Sequence, residues 1–198
     1  MNIPNKLTVS RLIMAPLFFI SFSLPLWFGP ELGTLSSLLT IVLLALTEVT
    51  DLLDGIIARK YNLVTDLGKV MDPFADTFSR LTYFVCLMMA GVMPAWAFLV
   101  IMWREFSIIF VRMLMMGKGK PVAANIWGKS KAVLYAVSGA AGILYIAFGR
   151  WFSEAAWLVP FKTILVVLFA LAAFASVASF MTYIKAIVRD GSLSTMSK

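Results

Sequence analysis

The chain has 198 residues, of which 61% are hydrophobic and 14% are charged, and it contains no histidine. Soluble domains carry about a quarter charged residues, and a single core of this size cannot bury so large an apolar fraction. The composition therefore excludes a soluble globular domain and predicts an integral membrane protein. The formal net charge of +7 indicates no nucleic-acid partner, because the basic residues lie in short connections between apolar runs, where they suit anionic lipid headgroups.

Six apolar runs follow one another along the chain, and a helix needs about 20 such residues to cross a bilayer. The predicted spans are 8–28, 35–58, 71–91, 94–116, 126–148 and 157–188. A turn at 29–33, a polar loop at 59–70 and a basic loop at 117–124 connect them. The start of the chain lacks the pattern of a cleaved signal, so the first run is expected to be retained. Residues 1–198 are predicted to form one all-α membrane bundle with a flexible tail at about 189–198.

Basic residues predict the orientation of the bundle. Most of them belong to loops or span ends on one side, namely Lys6, Arg11, Arg59, Lys60, Lys69, Lys118, Lys120, Lys129, Lys131, Lys185 and Arg189. Arg150 and Lys162 lie near the other side. By the positive-inside rule, the first side and both termini are cytoplasmic. A multi-pass protein of the cell's inner (plasma) membrane is expected.

Acidic residues concentrate around the second and third predicted spans. Five of the ten carboxylates fall between Asp51 and Asp76. On helices, positions 51, 54 and 58 share one stripe, and positions 68, 72 and 76 share another. Two antiparallel helices joined by a loop of about a dozen residues bring these stripes together. The sequence therefore predicts four facing carboxylates at the cytoplasmic end of the bundle: Asp51, Asp54, Asp72 and Asp76.

Four facing carboxylates repel one another, and a divalent cation relieves the repulsion. Oxygen ligands without histidine or thiolate suit Mg²⁺, Mn²⁺ or Ca²⁺ rather than zinc. Small residues beside the stripes let a flat ligand approach the backbone, and the fork of Arg59 suits phosphate. The alternative is that these Asp and Gly residues form an ordinary solvated helix end.

The full pattern from Asp51 to Asp76 reads D-x2-D-G-x2-A-R-x8-G-x3-D-x3-D, and it resembles the signature of the CDP-alcohol phosphotransferases. The resemblance implies a six-helix membrane domain that forms a homodimer and holds two divalent ions, Mg²⁺ or Mn²⁺, at its cytoplasmic face. It makes the four aspartates metal ligands and Asp76 also the base that deprotonates the acceptor alcohol. The CDP pocket implied by the resemblance consists of Gly55, Ala58, Arg59 and Gly68.

Several further stretches resemble one branch of that family, the phosphatidylglycerophosphate synthases. They are the opening residues 2–11, the Asp72–Asp76 step, the triplet at 104–106 and the start of the fifth span at 128–131. The resemblance implies transfer of the phosphatidyl group of CDP-diacylglycerol to glycerol 3-phosphate, with release of CMP. The acceptor's phosphate needs basic partners, and the candidates are Arg104, Arg112, Lys129, Lys131 and Arg80.

Other acceptors remain open at the level of the sequence. Synthases of this branch carry lysine directly after the last aspartate, whereas Thr77 stands there in this chain, with Arg80 one turn later. Branches that use inositol phosphate, serine or choline-type alcohols also vary in this region. A phosphorylated acceptor is nevertheless favoured, because three spans contribute basic side chains that a zwitterionic acceptor does not need.

Some residues have a structural alternative to their functional role. Arg104 either meets the acceptor or forms a buried ion pair that holds helices together. Lys118 and Lys120 either contact substrate or set the membrane topology. Asn5, Thr8 and Arg11 are candidates for the headgroup entrance, although Asn5 and Thr8 also suit caps of the first helix.

Two other classes of membrane protein compete with the enzyme. A divalent-cation transporter also uses intramembrane carboxylates, but it is expected to carry them near mid-membrane on several helices. A purely structural membrane subunit has no use for four convergent aspartates. Clustering at one interface beside glycines and an arginine favours the enzyme.

Overall fold

The structure is a computed structural model that describes residues 2–61, 65–116 and 126–189, with the side chains at 59, 66–67, 69, 114, 116, 126–127, 129, 186–187 and 189 excepted. Within these ranges the chain forms six α helices and no strand, which confirms the predicted all-α class. The helices are α1 Ile3–Phe28, α2 Gly33–Lys60, α3 Asp66–Met89, α4 Ala95–Met116, α5 Ile126–Trp151 and α6 Leu158–Arg189. The predicted basic loop at 117–124, with Lys118 and Lys120, and the tail beyond 189 lie outside the described residues.

Two helices begin earlier than the hydropathy pattern predicts. The first begins at Ile3 rather than near residue 8, and the third begins at Asp66 rather than near residue 71. The third helix starts early because the Thr65 side chain accepts a hydrogen bond from the Gly68 backbone N–H, which caps its first turn. The connection between α2 and α3 is therefore residues 61–65, shorter than the predicted loop of about a dozen residues.

The turn between α1 and α2 confirms the predicted break at 29–33. Gly29 has a φ of 123°, a conformation that L side chains rarely adopt, and a short 3-10 turn follows at Pro30–Leu32. The glycine lets the chain reverse direction directly after Phe28. At the far end of α5, the Arg150 Nη1 atom donates to the Gly33 carbonyl at 3.3 Å and to the Ser36 hydroxyl at 3.0 Å. This contact joins the start of α2 to the end of α5.

Aromatic side chains fill the centre of the bundle. The ring of Phe84 on α3 makes edge-to-face contacts with Tyr135 on α5, at 5.6 Å between centroids, and with Phe169 on α6, at 5.8 Å. These three side chains are fully buried. Helices α3 and α5 also approach closely at Gly139, where an added Cβ atom would lie 2.7 Å from the Tyr83 ring. Small residues at such contacts are the usual means of packing helices in lipid.

The outer surface of the bundle suits a membrane. In the part of the chain that the structure describes, four helical stretches are long and apolar enough to cross a bilayer: Ile3–Phe28, Pro30–Ala58, Ser130–Trp151 and Leu158–Lys185. Helices α3 and α4 carry more charge along their length, because they supply ionisable side chains to the cavity described below. The six helices and their apolar faces fit a multi-pass membrane protein.

Candidate active site

Three of the predicted metal ligands come together at one end of the bundle. Asp51 and Asp54 lie on α2 and Asp72 on α3, and one carboxylate oxygen of each lies within 4.8 Å of the other two. We refer to these three residues as the aspartate triad. Helical spacing of three residues places Asp51 and Asp54 on the same face of α2, and the short 61–65 connection brings Asp72 opposite them. Asp54 is buried, while Asp51 and Asp72 are partly exposed.

The aspartate triad surrounds an arginine from the first helix. The guanidinium of Arg11 forms ion pairs with all three carboxylates, and its side chain is 1% exposed. Thr8, one turn earlier on α1, donates a 3.4 Å hydrogen bond from its hydroxyl to Asp54. Arg11 is also a predicted residue of the headgroup entrance, and the structure places its guanidinium among the three carboxylates.

Asp76, the predicted base, lies one turn after Asp72 and has its own cationic partner. The Arg80 Nη2 atom lies 2.7 Å from the Asp76 Oδ1 atom. The Arg80 Nε atom donates to the Tyr83 hydroxyl at 3.2 Å, and its guanidinium carbon lies 5.8 Å from the centroid of the Tyr135 ring. Arg80 is thus held by neighbouring aromatic residues, and it orients one oxygen of Asp76.

A cavity of about 400 Å³ opens beside these carboxylates. Five helices contribute to it, at the end of the bundle where α2, α4 and α6 end and α3 and α5 begin. Its lining includes carboxylates of the aspartate triad, the predicted base, and several candidates for the acceptor phosphate: Asp51, Asp72, Asp76, Arg80, Arg104, Arg112 and Lys131. The structure therefore brings the acidic and basic candidates to a single space. The side chain of Lys129, the remaining candidate, lies outside the described residues.

A buried network of charges closes one wall of this cavity. Glu105 on α4 accepts hydrogen bonds from the Lys131 ammonium at 2.6 Å, from Arg104 at 3.0 Å and from the Tyr135 hydroxyl at 3.1 Å. Arg104 also donates to the Ser179 hydroxyl at 2.9 Å. This network joins α4, α5 and α6. Arg104 forms a buried ion pair and also lines the cavity. The two roles that the sequence suggested for it, holding helices together and contacting the acceptor, therefore do not exclude each other.

Two cavity donors have no partner among the described residues. The Arg104 Nε atom and the Tyr183 hydroxyl are buried without a hydrogen bond, and both side chains line the cavity. Buried polar groups are normally hydrogen-bonded, so unpaired donors at a cavity wall suit a ligand with acceptor oxygens. Arg112 lies in the same lining with an exposed side chain.

Helix α6 contributes residues that the sequence did not single out. Ser179 and Tyr183 face the cavity from its last turns. They are four residues apart, which places them on one side of a helix. Polar side chains at this spacing in an otherwise apolar run were a usable signal, although Ser and Tyr are too common in membrane helices to point to a site by themselves.

Three of the predicted nucleotide-binding residues, Gly55, Ala58 and Gly68, lie near the aspartate triad but outside the lining of the cavity. Gly55 and Ala58 are half-buried on α2. Gly68 lies against the first helix, since an added Cβ atom would be 3.0 Å from the Asn5 side-chain oxygen and 3.1 Å from the Thr65 hydroxyl. The side chain of Arg59 is not among those described.

Asn5 and Thr8 hold the ends of three helices together. The Asn5 side-chain amide donates to the Thr65 hydroxyl at 3.3 Å, so it supports the residue that caps α3. The Thr8 hydroxyl donates to the Pro4 carbonyl as well as to Asp54. Residue Asn2 occupies the N-cap position of α1, without a side-chain capping bond. Asn5 and Thr8 therefore connect α1 to α2 and α3 and do not cap α1.

The donor set of the aspartate triad fits a divalent cation. Ions of this class bind oxygen at about 2.0–2.6 Å, so two ligand oxygens of one ion lie no more than about 5 Å apart. The triad meets this limit, and its ligand atoms are all carboxylate oxygens. An acidic group of this kind can bind a metal ion, and the hard oxygen donors favour Mg²⁺, Mn²⁺ or Ca²⁺.

Comparison with known proteins relates the sequence of this chain to a family. The family described as CDP-alcohol phosphatidyltransferase matches residues 1–189. The CDP-diacylglycerol–glycerol-3-phosphate 3-phosphatidyltransferase of Bacillus subtilis (strain 168) is 38% identical over 144 residues, which cover 69% of this chain and 75% of that protein. The protein of the same name from Treponema pallidum (strain Nichols) is 30% identical, covering 93% and 88% of the two chains. A CMP-forming cardiolipin synthase of Streptomyces coelicolor is 30% identical, covering 79% and 78%.

Proposed function

Because the chain belongs to the CDP-alcohol phosphatidyltransferase family, we propose that it transfers the phosphatidyl group of CDP-diacylglycerol to glycerol 3-phosphate and releases CMP. One observation carries this proposal. A single cavity of about 400 Å³ is lined both by aspartates of the family signature and by cationic side chains from three helices, α3, α4 and α5. Such a space suits a reaction between a diphosphate and a phosphorylated alcohol. The relatives named for transfer to glycerol 3-phosphate support the same acceptor.

We propose that the metal-binding residues are the aspartate triad together with Asp76, and that they hold two divalent ions, Mg²⁺ or Mn²⁺. When bound, such ions offset the negative charge of a diphosphate and of the departing CMP. The triad supplies hard oxygen ligands from two helices. Asp76, on the next turn of α3, adds a fourth carboxylate at the cavity wall.

Asp76 is assigned as the general base. Its carboxylate lines the cavity, and Arg80 holds one of its oxygens at 2.7 Å. The other oxygen is assigned to accept the proton of the acceptor hydroxyl. As that proton moves to Asp76, the acceptor oxygen forms a bond to the phosphorus of the phosphatidyl group. The bond from this phosphorus to the CMP oxygen breaks, and CMP leaves with the electron pair.

Cationic and hydroxyl donors are assigned to the acceptor's phosphate. The Arg104 Nε atom and the Tyr183 hydroxyl are buried donors without a partner among the described residues. Arg112 adds a positive charge at the same cavity. Lys131 lines the cavity too, but its ammonium is bound to Glu105. Arg80 is bound to Asp76, so it serves the base more directly than the phosphate.

The nucleotide and the membrane orientation are assigned on the family pattern and on charge. We infer that Gly55, Ala58, Arg59 and Gly68 contact the CDP group, because they adjoin the aspartates in the signature. The site end of the bundle is placed in the cytoplasm by the positive-inside rule, with the protein in the inner (plasma) membrane. The lipid tails of the donor then remain in the bilayer. A homodimer is proposed on family resemblance alone.

An assay of the purified protein tests the reaction. CMP release from CDP-diacylglycerol is measured with separate acceptors: glycerol 3-phosphate, inositol phosphate, serine, choline and phosphatidylglycerol. Release with glycerol 3-phosphate well above the others is expected. If a different alcohol is preferred, glycerol 3-phosphate is the wrong acceptor, but the proposed phosphatidyl transfer still stands. Absence of CMP release with every acceptor, combined with Mn²⁺ flux into protein-containing liposomes, supports the transporter alternative.

A further inference from the structure

Arg11 has an unusual position among the described residues, because it is a buried cation inside a group of carboxylates assigned to metal binding. Its side chain is 1% exposed, and its guanidinium pairs with Asp51 and Asp54 on α2 and with Asp72 on α3. Arginine keeps its charge at any physiological pH. The site therefore contains a permanent positive charge at the oxygens that a divalent cation needs.

Other contacts of Arg11 show how it is held there. Its backbone carbonyl accepts a 3.3 Å hydrogen bond from the Ser79 hydroxyl on α3, so the main chain of α1 is tied to the site. The Nε atom is buried and has no hydrogen-bond partner among the described residues. The two terminal nitrogens bond to carboxylates of the aspartate triad. The end of the side chain is thus directed at the acidic group.

Formal charges show what this arrangement does. Three carboxylates contribute −3 and the guanidinium contributes +1, which leaves −2. Without Arg11, the full −3 would be confined to oxygens within 4.8 Å of one another. The guanidinium therefore offsets the repulsion between α2 and α3. It also occupies the same lone pairs that a cation binds, and it repels that cation by like charge.

We propose that Arg11 is a positioning residue that serves as the internal counter-ion of the aspartate triad. It holds the three carboxylates together before a cation binds, and it weakens their affinity for divalent cations by competing for the same oxygens. The proposal rests on the proposed function in one respect, since it takes the aspartate triad as the cation site. It goes beyond that function by assigning a role to a residue that contributes no ligand to the metal.

The test compares the wild type with Arg11→Gln, which removes the charge, and Arg11→Lys, which keeps it. Thermal unfolding of each purified protein is recorded in excess chelator and in Mn²⁺, and Mn²⁺ affinity is measured from the electron paramagnetic resonance signal of the free ion. In chelator, Arg11→Gln is expected to lower the unfolding midpoint by about 5 °C or more, while Arg11→Lys keeps most of the stability. Added Mn²⁺ should restore Arg11→Gln, whose Mn²⁺ Kd should be about tenfold lower than that of the wild type.

Arg150→Gln is the matched control. Arg150 is a half-buried arginine at the opposite end of the bundle, and it bonds to a carbonyl and to hydroxyls of α2. Any loss of stability in this variant should be the same in chelator and in Mn²⁺. Its Mn²⁺ affinity should equal that of the wild type.

Two results overturn the proposal. One is an Arg11→Gln protein with wild-type stability in chelator and wild-type Mn²⁺ affinity. The other is a variant that loses its fold equally with and without Mn²⁺, because Arg11 is then a packing residue. A separate variant tests the cation site itself. If Asp72→Asn binds Mn²⁺ as the wild type does, the proposed metal site is wrong. The counter-ion role of Arg11 is then judged only by the stability that Arg11→Gln loses in chelator.

Discussion

The Nη2 atom of Arg80 lies 2.7 Å from the Oδ1 atom of Asp76, one turn earlier on α3. Arg80 also donates to the Tyr83 hydroxyl at 3.2 Å, so its guanidinium is held from two directions. Because of this pair, one carboxylate oxygen of Asp76 has a fixed partner at the cavity wall. The arrangement suits a base that must keep its orientation while the other oxygen takes a proton.

Asp76→Asn should therefore abolish turnover and largely preserve binding of the CDP-lipid. The amide keeps an oxygen atom in place but cannot accept the proton of the acceptor alcohol. CMP release measures the turnover, and calorimetry with CDP-diacylglycerol in detergent measures the binding. Loss of binding as complete as the loss of turnover identifies Asp76 as mainly a metal ligand. Near-normal turnover removes Asp76 from catalysis.

The control substitution is Glu154→Gln, at an exposed residue in the connection between α5 and α6. It should change neither the turnover nor the binding of the CDP-lipid.

Activity should disappear in excess chelator and return when Mg²⁺ or Mn²⁺ is added. The reason is the all-carboxylate donor set of the aspartate triad, in which one oxygen from each residue lies within 4.8 Å of the others. CMP release across a metal titration checks this expectation. Asp51→Asn should require a higher metal concentration for half-maximal activity. Full turnover in excess chelator is incompatible with the proposed metal site.

Substituting Arg112 by alanine should raise the KM for glycerol 3-phosphate by about ten- to a hundredfold, the range expected for losing one or two charge-assisted bonds. Lys129→Ala is expected to act in the same way. The KM for CDP-diacylglycerol should change little, because the change concerns the acceptor's phosphate. Lys162→Ala, at the opposite end of the bundle, is the control for a lost positive charge. Unchanged acceptor kinetics in both variants would contradict the assignment of these residues to the phosphate.

Glu105→Gln should destabilise the protein by roughly 3 kcal/mol or more, because it leaves the buried cations Arg104 and Lys131 without their shared carboxylate. Glu105 lies 2.6 Å from the Lys131 ammonium and 3.0 Å from the Arg104 guanidinium. Thermal unfolding in detergent measures the change. The double variant with Lys131→Met should recover part of the loss, since it removes one of the unpaired charges. Equal stability of Glu105→Gln and the wild type would show that the network does not hold α4, α5 and α6 together.

Cysteine labelling should place the site end of the bundle in the cytoplasm. The native Cys86 is fully buried, so a single added cysteine can be followed by an impermeant thiol reagent. Tyr61→Cys, at an exposed residue directly after α2, should react from the cytoplasmic side only. A cysteine in the 117–124 segment is expected to react in the same way. Glu154→Cys should react from the outside. The reverse pattern would overturn the orientation derived from basic residues.

The aspartate signature shows what the spacing of residues along a helix can predict. Positions three and four apart on a helix share a face whatever the rest of the chain does, so Asp51 and Asp54 could be placed together from the sequence. The break between α2 and α3 was also evident from its polar residues. The length of this connection was overestimated, because the first turn of α3 is polar and resembles a loop in its hydropathy. The cap at Thr65 marks the true start of the helix. Capping is a side-chain contact, and hydropathy does not report it.

Arg11 shows the opposite case. In the sequence it is one basic residue near the start of an apolar run, equally suited to a lipid headgroup or a substrate. Its partners lie 40, 43 and 61 residues away along the chain. Pairing over such separations depends on how α1 packs against α2 and α3. The same holds for Ser179 and Tyr183, whose place at the cavity depends on the packing of α6.

Composition, helical periodicity and the signature from Asp51 to Asp76 by themselves determined the membrane class, the six helices and the family likeness. Each of these properties depends on residues that are close in sequence or on averages over a span. The tertiary structure alone decided that Arg11 enters the aspartate triad, that Glu105 joins Arg104 to Lys131, and that one cavity unites acidic and basic residues. The physical reason is that charges inside a bundle are stabilised by partners on other helices, and helix packing chooses those partners.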